Sequence, residues 1–351
     1  MVALERSPFP VPFGWFCVGY PKDFPVGEPK AIFYFDQHLV AWRDGAGALH
    51  VQDPFCPHLG AHLGHGGTVE DCQIVCPFHG WKFDAEGVNT DIPYSERTNK
   101  KGTLRTFPVA ERNGVCLVWY HPDPEVEPQW EIPELSEFNG DPEWSTVIRT
   151  EHTVDAPWQE MAENGVDSAH FRFVHNTAEV PEVESYECGF PGSQMRSSQK
   201  FPTPRGVMEG RIDSEMIGPG VSVVRFSGIV DTVSFAVTTP ITRDRCTTRF
   251  NFRFKTMGGD EQATRNVGEA FVKEVDRQFL EDKPIWEHKA HLVRPALADN
   301  DGPFMKFRKW AAQFYAEPIR DERTVFPPPW WPERADEAPA KATASAKYGD
   351  A

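Results

Sequence analysis

Apolar and polar positions change places in short runs over the first third of the chain. Ala31–Phe35, Leu39–Trp42, Ile74–Val75 and Val115–Tyr120 are β-type runs separated by Gly, Pro, Asp and Asn. Short strands broken by frequent turn signals predict a small antiparallel β domain over residues 1–122. Near His121 the run His-Pro-Asp-Pro opens a Pro- and Glu-rich connector, 123–143. A second block, 144–325, changes period along its length. Between Met208 and Lys255, the stretches Ser222–Phe226, Thr232–Thr238 and Thr247–Phe254 alternate and read as antiparallel strands. After Gly259 the apolar residues Val267, Phe271, Val275 and Phe279 fall at helical spacing, predicting an amphipathic helix of about four turns. Pro284 is expected to end or kink it around Glu281–Lys283, because proline has no N–H and its ring crowds the preceding turn. The fold class is therefore α+β. Residues 326–351 form a Pro- and Ala-rich tail, expected to be partly disordered, in which Pro327–Pro329, Trp330 and Trp331 could still pack on the body.

Composition removes several function classes. A chain of 351 residues has room for two cores, and 40% hydrophobic with 25% charged residues is the balance of a soluble globular protein. A net charge of −16 opposes binding to nucleic acid or to anionic lipid. The apolar run Phe9–Tyr20 is short and interrupted by Pro10, Pro12 and Gly14, so no membrane span is expected. With no leader pattern either, the expected location is cytoplasmic. Seven cysteines, an odd number scattered over a long chain, point to free thiols and metal ligation rather than a disulfide framework.

The chemistry concentrates in two places. The first holds Cys-Pro-His-Leu-Gly and Cys-Pro-Phe-His-Gly-Trp, with 17 residues between His58 and Cys76. Zinc fingers usually keep Cys with Cys and His with His. A Rieske centre instead puts two thiolates on one iron and two imidazoles on the other. The mixed pairs favour a [2Fe–2S] cluster on Cys56, His58, Cys76 and His79. Gly60, Gly64, Gly66, Gly67 and Gly80 are expected to let backbone N–H groups approach its sulfurs. His62 and His65 read as surroundings or surface. Leu59-Gly60 and Gly80-Trp81 stand where respiratory Rieske proteins carry an additional disulfide, and Cys72 lies outside both loops. That pattern resembles the lower-potential Rieske domains of oxygenases.

The second place is Glu-Asn-Gly-Val-Asp-Ser-Ala-His-Phe-Arg-Phe-Val-His, residues 163–175. If helical, it sets Asp167 and His170 on one face, with Glu163 and Asn164 a turn earlier. His175 then falls off that face unless the helix distorts or stops. An acidic face with two His is commonly just solvated surface. Asp276, Asp282, Asp299 and Asp301 are carboxylates farther along the chain.

With both sets present, the chain resembles the Rieske non-haem iron oxygenases, whose motif D-x-x-H-x(4)-H matches Asp167, His170 and His175. The resemblance implies an N-terminal Rieske domain and a helix-grip-like catalytic domain with a central antiparallel sheet flanked by helices. It implies mononuclear Fe(II) on His170, His175 and a carboxylate, matched best by Asp282 with Glu287 five positions on; Asp276 is the alternative. It implies that Asp167, with Asn164 in its hydrogen-bonded surroundings, joins this iron to His79 or His58 of a neighbouring subunit in a homotrimer. O₂ is then the co-substrate. The chain's own Gly45-Ala-Gly-Ala-Leu-His lacks the third Gly of a dinucleotide fingerprint and reads as a turn. NAD(P)H and flavin are therefore expected on a separate reductase or ferredoxin.

Arg294-Pro-Ala-Leu, Asp301-Gly-Pro and Phe307-Arg-Lys-Trp-Ala-Ala-Gln-Phe-Tyr resemble the C-terminal region of the 3-ketosteroid 9α-hydroxylase oxygenases and sterol 7-desaturases. This implies a monooxygenase hydroxylating a steroid- or sterol-like substrate in a deep apolar pocket. The animal desaturases' N-terminal membrane segment has no counterpart here, which turns the expectation towards bacterial hydroxylase-like members. Alternatives are a desaturase or demethylase acting at another sterol position or on an aromatic compound. A plain electron carrier is a third reading; it predicts two irons per chain rather than three, and indifference to His170→Ala.

Overall fold

The computed structural model describes residues 7–316, apart from 178, 204–205 and 229. The expectations for the tail 326–351 lie outside the described residues. The N-terminal strands are β1 (Gly14–Gly19), β2 (Lys30–Tyr34), β3 (Gln37–Arg43), β4 (Leu49–Gln52), β5 (Thr68–Glu70) and β6 (Gln73–Val75). They continue with β7 (Lys82–Phe83), β8 (Asn89–Asp91), β9 (Thr106–Phe107), β10 (Val109–Arg112) and β11 (Val115–Tyr120). These make three antiparallel sheets, ordered β1-β11-β10, β2-β3-β4-β9 and β5-β6-β7-β8. Strands β1 and β11 are buried along nearly their whole length, as continuous apolar runs such as Val115–Trp119 require. The Gly45–Ala48 segment is the β3–β4 turn, closed by Asp44 N–H on the Ala48 carbonyl at 3.1 Å.

The second part is a seven-stranded antiparallel sheet. Its strands are β12 (Ile148–Val154), β13 (Glu182–Cys188), β14 (Gly192–Thr203), β15 (Gly206–Ile217), β16 (Val221–Ser227), β17 (Thr232–Thr242) and β18 (Arg245–Phe254). The order β12-β18-β17-β16-β15-β14-β13 is a meander with one strand, β12, added at the far edge. Helices are α1 (Trp158–Ala162), α2 (His170–Phe173), α3 (Glu261–His288) and α4 (Phe304–Ala311). None of them is long and apolar enough to cross a membrane.

Helix α3 lies against β12 and β18. Its N-terminus is capped by the Asp260 carboxylate, which accepts from the Ala263 N–H at 2.9 Å. Phe279 stacks on His152 at 4.6 Å, and a Cβ on Gly268 would stand 2.7 Å from the Phe254 ring. The helix does not end at Pro284. It runs on to His288, and the carbonyl that Pro284 leaves without its usual donor belongs to Leu280, an exposed residue. A carbonyl on the solvent side can turn to water, so the helix tolerates the proline.

The two parts share one core. Phe13, Trp15 and Trp119 pack with Trp130 of the connector, Phe235 of the large sheet and Phe307, Trp310 and Phe314 of the C-terminal segment. A backbone bond from Phe13 N–H to the Phe314 carbonyl at 2.8 Å ties the two ends of the described chain. Edge-to-face aromatic pairs such as Trp119–Trp130 at 4.7 Å add to the area buried.

Candidate metal centres

The two N-terminal loops have the same construction. Cys56 N–H donates to the Ala61 carbonyl at 2.9 Å and Gly60 N–H returns to the Cys56 carbonyl at 2.8 Å. Cys76 N–H donates to Trp81 at 2.8 Å and Gly80 N–H returns to Cys76 at 3.0 Å. Gly60 and Gly80 have φ of +77° and +70°, a region that a β-carbon disfavours, so each closes its turn as glycine. Gly64 and Gly67 are also confined by packing. A Cβ there would meet the Ala31 backbone at 2.7 Å and the Leu63 carbonyl at 2.1 Å, so both are set by loop packing.

The paired loops bring two thiols and two imidazoles together. Cys56 and Cys76 are buried neighbours, and the His58 and His79 rings stand 4.7 Å apart. Nδ1 of both histidines is buried with no hydrogen-bond partner. An orphaned acceptor pair beside two thiols is costly unless something ligates it. Burial pushes the Cys56 thiol up to about 12, against backbone N–H bonds from His58 and Leu59 to its sulfur. Iron ligation would remove that proton. A single tetrahedral zinc would draw the ligand atoms to roughly 4 Å of one another. Two thiols and two imidazoles are instead the donor set of a two-iron Rieske group.

The sequence reading missed what lies around this pair. Trp81 stacks flat on His58 at 4.8 Å and donates to the Tyr94 hydroxyl at 2.8 Å. His62 is half-buried, its Nδ1 accepting from Gly64 N–H at 3.1 Å.

The second centre forms where the chain changes conformation repeatedly. Helix α1 tightens into a 3-10 turn over Glu163–Val166, Asp167 is extended, and α2 stops after Phe173. Asn176 then takes φ +57°, turning the chain back. This broken path, not a continuous helix, brings His175 to His170. Ligand atoms of His170, His175 and Asp282 all lie within 4.8 Å of one another, and all three side chains are at most 9% exposed. Nε2 of His175 is 3.3 Å from Oδ2 of Asp282. The Asn164 amide donates to that same Oδ2 at 2.9 Å and lies 3.1 Å from Nε2 of His170. Asn164 thus borders the triad itself. Burial raises the Asp282 carboxyl above its ordinary range, against the pull of His175, His170 and the Asn164 amide. A carboxylate and two imidazoles with open sides are the donor set of a non-haem Fe(II) site.

Other predicted residues fall differently. Asp276 is 2.5 Å from Nε2 of His152 and has its own partner. Asp301 accepts from Ala298 N–H at 2.7 Å and lines a cavity of about 310 Å³ with Asp167, His170, Phe173 and Leu297. Asp167 Oδ1 accepts from the N–H of Ala169 at 3.0 Å and of His170 at 3.2 Å. It stands 3.9 Å from Nδ1 of His170, a buried atom with no partner. Burial of Asp167 works against ionisation, but His170 and these N–H groups outweigh it and hold the carboxyl below its ordinary range.

A buried ionic network, also absent from the sequence reading, adjoins the triad. Glu160 faces His291 Nδ1 and Lys289 Nζ, each at 2.6 Å, and Arg308 clasps Glu163 at 2.6 and 3.0 Å. Two cationic side chains already neutralise these carboxylates, so they are ion pairs rather than metal ligands.

Residues 14–108 match the Rieske [2Fe-2S] domain, and residues 118–315 match the 3-ketosteroid 9alpha-hydroxylase C-terminal domain. The chain belongs to the Rieske non-haem iron oxygenases. Within them it sits with the 3-ketosteroid 9α-hydroxylase and sterol 7-desaturase branch, and it is an oxygenase component of the monooxygenase type. It is 32% identical over 320 residues to a 3-ketosteroid-9-alpha-monooxygenase oxygenase component of Rhodococcus rhodochrous, covering 87% of this chain and 84% of that one. It is 33% identical over 345 residues to the cholesterol 7-desaturase of Caenorhabditis elegans, covering 87% and 77%. Its fold resembles dicamba monooxygenase, with a TM-score of 0.71 at 18% identity over 89% and 98% of the two chains. The Rieske domain implies a [2Fe–2S] cluster, and His170, His175 and Asp282 supply a donor set that suits a mononuclear iron.

Proposed function

We propose that this oxygenase hydroxylates a steroid- or sterol-like substrate with O₂ and electrons from a separate reductase or ferredoxin carrying flavin and using NAD(P)H. Cys56, His58, Cys76 and His79 hold the [2Fe–2S] cluster, and His170, His175 and Asp282 hold the Fe(II). The observation that carries this reading is the closure of His170, His175 and Asp282 within 4.8 Å, on a chain that also builds the paired Cys–His loops. When bound, the cluster would supply single-electron transfer, and the iron would supply O₂-dependent oxidation of an unactivated C–H or double bond.

The chain's own residues do the rest. Asn164 orients Asp282 through its amide. Asp167 connects the iron site to the cluster of a neighbouring subunit in a homotrimer. Its position beside the partnerless Nδ1 of His170 supports that role. Exposed apolar side chains at both ends support docking of copies: Leu59, Phe78 and Tyr94 near the cluster loops, Phe173 and Leu297 near Asp167. The steroid class is supported by the relatives' substrates and by Phe173, Pro295, Leu297 and Phe304 on the cavity beside His170. Residues 1–122 are read as the Rieske unit and 144–325 as the catalytic unit, joined by 123–143. The five cysteines outside the cluster loops are free thiols, which supports a reducing compartment, the cytoplasm.

The test is product identification after reconstitution with a surrogate reductase and a panel of sterols and 3-ketosteroids. A hydroxylated steroid, coupled to NADH consumption and O₂ uptake, is expected. No product from any steroid, with clean coupling to an aromatic acid, would overturn the substrate class. Sustained turnover with NADH alone would overturn the separate reductase.

A further inference from the structure

The two histidines of the triad are held in different ways on the side away from Asp282. Nδ1 of His170 is buried with no hydrogen-bond partner, the Asp167 carboxylate standing 3.9 Å away, whereas Nδ1 of His175 lies 3.1 Å from Oε2 of Glu281. Glu281 is the neighbour of Asp282 on α3. One turn of helix separates it from Arg277, whose guanidinium donates to the other oxygen of Glu281 and, at 2.9 and 2.6 Å, to Glu274. Both oxygens of Glu281 are thus engaged, one on the arginine and one on the imidazole.

We propose that Glu281 is a positioning residue of the iron site, acting through His175; the proposal rests on the reading of His175 as an iron ligand. A carboxylate can only accept, so the proton of a neutral His175 must sit on Nδ1. Nε2 is then left with its lone pair towards Oδ2 of Asp282, 3.3 Å away. The bond also fixes the ring plane, and the negative charge strengthens the donor nitrogen. Adjacent residues of one helix therefore serve one metal in two ways: Asp282 as ligand, Glu281 as the carboxylate behind a ligand. Arg277 aims Glu281 and limits how far it can swing.

The bland reading is a surface salt bridge. Glu281 and Arg277 are an i, i+4 pair with side chains 34% and 44% exposed. Such exposed pairs contribute little to folding. The two readings therefore diverge on metal binding.

The experiment compares Fe(II) affinity of the full chain, anaerobically and after selective removal of the mononuclear iron. The cluster's visible absorption and circular dichroism check that the Rieske loops are intact. Glu281→Leu is expected to weaken Fe(II) binding about 10–100-fold, with the melting temperature nearly unchanged. Glu281→Gln keeps an acceptor for Nδ1 without the charge, and recovers part of the loss. Arg277→Met falls between Glu281→Gln and the parent. Wild-type affinity in Glu281→Leu, with binding abolished in His175→Ala, would overturn this inference and leave the iron site standing. Wild-type affinity in His175→Ala would overturn both. Should Glu281→Leu fail to fold, Glu281→Gln decides: affinity equal to wild type rejects the role, and a several-fold loss supports it.

Discussion

Glu160→Gln is a sharp test of how the iron segment is anchored. Glu160 is 3% exposed, and its carboxylate faces His291 and Lys289 at 2.6 Å each. Burial opposes its ionisation, yet the hydrogen bond to His291 and the charge of Lys289 win and bring it from an ordinary 4.5 to about 2. A shift of that size corresponds to on the order of 3 kcal/mol of folding stability at neutral pH. Because the folded-state value is depressed, the contribution is fully present well above pH 4.5 and disappears as pH falls towards 2. Roughly half should remain at pH 3. Glutamine does not titrate, so the stability gap between wild type and variant isolates this group. In a melting experiment the gap at pH 7 is roughly 6–12 °C for a unit of this size. It should narrow steadily in buffers from pH 5 downwards. A gap below about 1 kcal/mol at pH 7, or one that does not change with pH, would refute the argument, since a buried pair broken on one side is expected to cost several times that. The variant should also hold its mononuclear iron less well, because Glu160 and Glu163 anchor the turn that carries Asn164.

Other outcomes follow from the same geometry. His170→Ala, His175→Ala or Asp282→Ala should lower iron from about three to about two per chain, leave the cluster's absorption intact and abolish product formation; unchanged iron would refute the triad. Asp167→Asn should retain both centres but slow turnover roughly 10–100-fold, read as delayed reoxidation of the cluster under substrate and O₂. Gly268→Ala places a methyl 2.7 Å from the Phe254 ring and should cost about 1–3 kcal/mol in a melting assay, by lifting α3 from the sheet. Pro284→Ala restores a donor to the Leu280 carbonyl and should raise stability without changing Fe(II) affinity.

What was legible in the sequence was what is local. The strand Val115–Tyr120 appears with those limits, and both Cys–His loops are short enough for their ligands and turn glycines to be read together. The second motif also declared itself by spacing, including the need for the chain to break between His170 and His175. What stayed hidden depends on pairing across long separations. Glu281 meets His175 across 106 positions and Glu160 meets His291 across 131. In the sequence Glu281 looks like one member of a charged helix face with Arg277, and nothing in that pattern distinguishes a solvated carboxylate from one behind a metal ligand.

Asp282, proposed as the third ligand, reaches His170 and His175 without the helix break expected at Pro284. The sequence predicts that α3 ends or kinks around Glu281–Lys283 because of Pro284. In the structure the helix continues, and the inward residues are Thr264, Gly268, Val272, Phe279, Asp282 and Trp286, separated by intervals of three, four or seven. Those intervals keep one face against the sheet. Asp282 therefore points inward because it lies on the same face as Phe279 and Trp286, a polar residue at a core position. A buried carboxylate in such a register costs free energy unless something satisfies it. Here the Asn164 amide and two imidazoles converge on it from the segment 164–175. The local signal for the proposed third ligand is thus the acidic residue interrupting the buried stripe of an otherwise amphipathic helix, and it needs no helix break at all.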